Sequence, residues 1–151
     1  MTNEFVGKKS DWDICEIEVC KYLLEQGAIT IERAQWRFYD WDIKITTKEW
    51  EETYEVKSDR KSEHTWNFCI EFMNTKSWWA SGIFKSKADY VVYYVNKQWR
   101  KVKREDLIVK ILNEKEYDIR DGWDDNSRMY IFPVTRLWEF FTETIDIPTL
   151  E

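Results

Sequence analysis

The stretch Tyr90–Val95 (YVVYYV) constrains this chain most, because six successive residues are aromatic or β-branched and none is charged. Such a run reads as a β-strand covered on both faces, and therefore as a central strand. A central strand needs a layer on each side of its sheet, which the rest of the chain must supply. Residues 11–26 read as a helix, capped by Ser10 or Asp11, stopped by Gly27 and striped by Cys15, Val19, Tyr22 and Leu23. Residues 104–115 read as a second helix, with Leu107, Ile108, Ile111 and Leu112 on one face, and residues 135–142 as a short third one. Extended segments are expected at 28–33, 35–46, 50–58, 67–73 and 129–133, with a turn-rich loop over 121–128. Strands interleaved with helices imply an α/β or α+β fold around one mixed sheet flanked by helices. No repeat, linker or low-complexity tract divides the chain, so residues 1–151 are read as a single domain.

The charge balance, 23 Lys+Arg against 29 Asp+Glu for a net −6, excludes coating nucleic acid by bulk charge but leaves local binding open. Aromatic residues at 17%, including ten Trp, exclude intrinsic disorder. No apolar leader or membrane-length run is seen, so cytoplasmic residence is expected. Three cysteines argue against a paired disulfide framework, and one His with no C-x-x-C argues against a zinc site. Any metal would be held by carboxylates.

The chemistry concentrates at Asp42, Glu55 and Lys57. Strand alternation within Glu55-Val56-Lys57 puts the acid and the amine on one face and Tyr54 and Val56 on the other. A short polar break at residues 47–49 suits an antiparallel hairpin that would carry Asp42 beside Glu55. Two neighbouring carboxylates repel unless a cation lies between them, and oxygen donors of this kind suit Mg²⁺, with Mn²⁺ as a substitute. A lysine at the same spot could hold an attacking water or offset charge growing on a phosphate.

Asp42 followed thirteen positions later by Glu55-Val56-Lys57, after a helix bearing Glu16-x-x-Val19-x-x-Tyr22-Leu23, resembles the PD-(D/E)XK superfamily of restriction-endonuclease-like nucleases. The helix looks like that of the Holliday-junction-resolvase-like branches. Asn67-x-x-Ile70-Glu71, Ser81-Gly82-Ile83 and Lys87-Ala88-Asp89-Tyr90 are similar to small phage-type members. The resemblance covers roughly residues 11–95 and implies a helix, a mixed sheet carrying the acids, a further helix and a last core strand. It implies Asp42 and Glu55 as metal ligands, Lys57 as the catalytic amine and Glu16 as an auxiliary acid, in a Mg²⁺-dependent deoxyribonuclease of a prokaryotic cell or phage-infected host. Trp41 replaces the usual Pro before the aspartate, so Asp40 competes with Asp42, as Glu18 does with Glu16. Asp42 and Glu16 are favoured.

Rival functions are a catalytically silent module binding DNA or a protein partner, and a nuclease acting on RNA. A homodimer is left open. Residues 97–104 (KQWRKVKR) read either as a phosphate-gripping patch with Trp99 stacking, or, by preference, as a charged turn before a helix. Lys57, Arg60, Lys61, Lys85 and Lys87 could rim the site. Trp78 and Trp79 are read as core or partner contacts in preference to base-stacking groups. Glu71 is read as a structural partner for Lys57 with an added-ligand role as the alternative, Ser81 as a structural residue or a phosphate contact, and His64 as an exposed loop residue.

Overall fold

A computed structural model describes residues 3–35, 38, 40–59, 62–122 and 126–147, with residues 3–12 described by backbone alone. Helix α1 (Asn3–Glu25) is followed by β1 (Thr30–Arg33), β2 (Ile43–Thr46) and β3 (Glu51–Asp59). Next come α2 (Ser62–Thr65), β4 (Asn67–Asn74), β5 (Tyr90–Val95), β6 (Gln98–Lys103) and α3 (Arg104–Leu112). The chain continues through β7 (Asp118–Asp121), β8 (Ser127–Pro133), α4 (Leu137–Phe140) and β9 (Glu143–Ile145). No helix among the described residues is long and apolar enough to cross a membrane.

The fold is α/β with a six-stranded mixed sheet in the order β1-β2-β3-β5-β6-β9, in which only β3 and β5 run parallel. Strand β5 lies centrally. Its alternate residues Val91, Tyr93 and Val95 enter one core and Val92 enters another, so both faces are covered as its composition requires. Helix α1 covers one face, burying Cys15, Val19 and Leu23 against Ile43, Ile45, Tyr54 and Val92. The other face packs against Phe68 and Ile70 of β4, Phe132 of β8, and Leu107, Ile111 and Phe140 of α3 and α4. Full burial of each such side chain contributes roughly 1.5–3 kcal/mol.

The single sheet expected from the sequence is instead two. Strand β4 joins an antiparallel three-stranded sheet, β4-β8-β7. Its burial alternates, Phe68 and Ile70 inward and their neighbours half-buried, which suits a sheet with one covered face. The crossover from β3 to parallel β5 thus runs through the four-residue α2 and a strand of the second sheet, where the family resemblance implies a helix. Asp59 fastens that crossover, accepting the Ser62 N–H at 3.2 Å and the Cys69 N–H at 3.1 Å.

Other boundaries also differ from expectation. Helix α1 begins at Asn3, so Ser10 and Asp11 lie inside it and do not cap it. Of the expected strand over 35–46, Ile43–Thr46 is strand, whereas the described residues 35, 38 and 40–42 are not, and the Ala34 N–H donates to the Asp42 carbonyl at 2.8 Å; residues 36, 37 and 39 lie outside the described residues. Residues 98–103 are strand β6, reached by a tight turn in which Asn96 and Lys97 have φ of 49° and 65°. Two successive positive φ values match the hairpin turn that follows strand twist. Trp99 is buried against Tyr94, so it is not available to stack on a base, while Lys101 lies over the Tyr90 ring and Arg100 donates to the Phe141 carbonyl. The last helix divides into a 3-10 turn (Val134–Arg136) and α4. His64 is exposed, on α2 and not in a loop.

Candidate active site

The β2–β3 hairpin brings Asp42 and Glu55 together. The paired register ends at Ile43 and Tyr54, and Asp42, just before β2, lies near enough to Glu55 to feel its charge. The Asp42 N–H donates to the Tyr54 carbonyl at 2.9 Å, and Asp42 Oδ2 accepts the Val56 N–H at 2.7 Å. The carboxylate is therefore bolted to the backbone of the strand that carries its partners. On β3, Tyr54 and Val56 face α1, which directs Glu55 and Lys57 toward the second sheet. Lys57 Nζ lies 3.2 Å from Glu55 Oε1, and the Glu55 side chain is 11% exposed.

These three residues open into a cleft of about 790 Å³ that is also lined by Asp13, Glu16, Arg33, Glu71, Ser81 and Lys85. Glu16 reaches it from α1, next to the buried stripe residue Cys15, and Arg33 at the end of β1 holds Glu16 at 3.4 Å and Asp13 at 3.0 Å. Glu18, two positions on, is buried and does not line the cleft. Asp40 lies away from it too, its carbonyl accepting the Lys87 N–H and the Ser86 hydroxyl. Among the paired alternatives, then, Asp42 and Glu16 share the cleft with Glu55 and Lys57. Lys87 lines a separate cleft with Asp89 and Arg104, whereas Lys85 stays with the acids; Arg60 and Lys61 lie outside the described residues.

The cleft walls carry five acids and three bases. The pKa of Asp42 is pushed up to about 7 chiefly by burial and then by the Glu55 charge, against the opposing Val56 N–H and Lys57. Burial also raises the Glu16 pKa, with Arg33 working against it. For Lys57 burial disfavours the ammonium, but Glu55 and Asp42 together outweigh it and hold the amine charged, above its ordinary pKa. Among the described residues no three His, Cys, Asp or Glu side chains cluster closely enough to form a metal site by themselves.

No protein-family model, curated protein or solved structure matches this chain.

Sequence reasoning overlooked Asp13 and Arg33. The signal was available in part: Asp13 and Glu16 are three apart on a helix and so share a face that invites a cation. Nothing local, however, says that the end of β1 supplies it. Trp78 and Trp79 are 65% and 73% exposed, so of the expected core or partner contacts the core role is excluded, because the loop after β4 carries them out of both cores. Gly82 is the tightest point beside the site: with φ +59°, its absent Cβ would lie 2.6 Å from the Glu71 carbonyl oxygen. The close approach of this turn to β4 sets Ser81 beside Glu71 in the cleft wall.

Proposed function

We propose that this protein is a metal-dependent nuclease of the restriction-endonuclease-like kind, hydrolysing DNA phosphodiester bonds in the cleft that holds Asp42, Glu55 and Lys57. The observation that carries the reading is the convergence of two carboxylates, Asp42 just before β2 and Glu55 on β3, with the charged Lys57 amine at the wall of an open cleft. The donor chemistry fits Mg²⁺: two carboxylates, one with a proton affinity raised by its neighbour, suit a hard ion that keeps several waters. Asp42 and Glu55 would hold it, and when bound it would supply a water of lowered pKa and polarise the phosphoryl oxygen. Lys57 then has two tasks within its reach, orienting the attacking water and offsetting negative charge at phosphorus. Glu16 sits as an auxiliary acid, kept in place by Arg33.

Purified protein with Mg²⁺ or Mn²⁺ is expected to cut at least one of linear duplex, branched or single-stranded DNA, and Lys57→Ala to abolish the cutting while circular dichroism stays unchanged. Absence of cleavage on all three, together with no Mn²⁺ binding by titration, would leave a non-catalytic binding module as the better reading.

A further inference from the structure

The cleft has a second wall that the carboxylates and Lys57 leave unused. Beyond Met73 the chain makes a tightly bonded reverse loop: Met73 bridges Ala80, and the Asn74 N–H donates to the Trp79 carbonyl at 2.9 Å. Asn74 Oδ1 accepts the N–H groups of Lys76 at 2.9 Å and Ser77 at 3.1 Å, and the Trp78 N–H returns to the Asn74 carbonyl at 2.8 Å. Trp78, at φ 61°, turns its ring toward the Arg128 guanidinium, 5.9 Å away. Trp79 goes the other way. It lines the catalytic cleft, is 73% exposed, and among the described residues no other ring stacks on it.

A large apolar ring held in water on an ordered loop loses little conformational freedom when a flat ligand covers it. The same cleft is lined by the exposed Lys85 and by Ser81, whose own Oγ is buried. An exposed aromatic face and an exposed cation in one cleft match one nucleotide, with the base on the indole and the phosphate on the ammonium. Within a duplex both faces of a base are covered by its neighbours, so only an unpaired or splayed base can present a free face to a fixed side chain.

We infer that Trp79 is a stacking platform for an unpaired nucleobase, and that the DNA entering the cleft is single-stranded or splayed at this contact. The inference deepens the nuclease reading and rests on it for what happens to the strand, but the contact itself can be measured without cutting. Fluorescence anisotropy in Ca²⁺ compares a labelled oligo(dT) of about twelve nucleotides, an abasic strand of the same length and a blunt hairpin duplex, for wild type, Trp79→Phe and Trp79→Ala. Wild type is expected to prefer oligo(dT) to both other probes; Trp79→Ala weakens oligo(dT) binding about tenfold or more, Trp79→Phe restores most of it, and neither changes binding of the abasic strand. Equal binding of all three probes, no binding of any, or oligo(dT) binding indifferent to Trp79→Ala overturns the inference. Cleavage with Mg²⁺, run in parallel, separates the two ideas. Trp79-dependent binding without any cutting removes the nuclease and keeps the platform, and duplex cutting equal in wild type and Trp79→Ala without preference for oligo(dT) keeps the nuclease and removes the platform.

Discussion

Asp42 Oδ2 accepts the backbone N–H of Val56 at 2.7 Å, so the carboxylate is anchored to the peptide between Glu55 and Lys57. A side chain outside the regular strand is thereby held against the residues with which it must act, independently of any ion. The bond also opposes the rise in its pKa, although burial and Glu55 prevail.

The first prediction concerns pH. An Asp has an unfolded pKa of about 3.9, whereas folded Asp42 titrates near 7, so between these values the native state binds more protons than the unfolded one. Its contribution to stability therefore falls as pH rises from about 4 to about 7 and stays low above that. Asp42→Asn, which can still accept the Val56 N–H, should stabilise the metal-free protein at pH 8 by on the order of 2 kcal/mol and flatten that slope. Urea unfolding at pH 5 and pH 8 checks this; equal pH slopes for the two proteins contradict it.

Metal addition should act on the same residue from the other side. Mg²⁺ or Mn²⁺ at a hundredfold excess over its Kd should stabilise the wild type by about 2.7 kcal/mol at pH 8, and by less at pH 5, where protons compete for Asp42. Asp42→Asn and Glu55→Gln should lose most of the effect. Thermal shift against cation concentration reads it directly.

Lys57→Ala removes the amine that neutralises Glu55, whose side chain is 11% exposed. Cleavage should fall by about 10²–10³ or more. The carboxylate left behind should destabilise the fold by roughly 1–3 kcal/mol, too little to unfold it. Single-turnover rates and urea midpoints separate the two effects.

Glu16→Gln should lower cleavage about tenfold without abolishing it, since the residue stands at the edge of the cleft on α1 and is already paired with Arg33. Arg33→Ala should raise the Glu16 pKa further, because Arg33 is what lowers it, and an alkaline shift of the acid limb of the rate profile would report that.

Gly82→Ala is a structural control on the site. Its methyl would meet the Glu71 carbonyl oxygen at 2.6 Å in a backbone conformation that side chains seldom adopt, a penalty of about 2–3 kcal/mol. The turn must move away from β4, and Ser81 with it. Loss of stability should be accompanied by weaker oligo(dT) binding, whereas Phe132→Ala, in the core between the sheets, should cost about 3–5 kcal/mol and leave binding by the folded fraction unchanged.

Local chemistry was enough to find the centre of this molecule. The YVVYYV run is β5 at the positions expected, because unbroken β-branched and aromatic residues have no polar face to expose. The Glu55–Lys57 face and the hairpin that sets Asp42 beside Glu55 follow from two-residue alternation and a short polar break. What only the tertiary structure decided is everything that depends on which strands pair over long distances. Alternation marks β4 as half-buried but cannot say that β8 is its neighbour, so the second sheet was invisible, and with it the placement of Glu71, Ser81 and Trp79 on the cleft wall. Arg33 meets Asp13 and Glu16 only because β1 closes the sheet edge beneath α1. Side-chain periods report the faces of an element; the free energy that selects its neighbours is shared among buried contacts from the whole chain, and no single segment carries it.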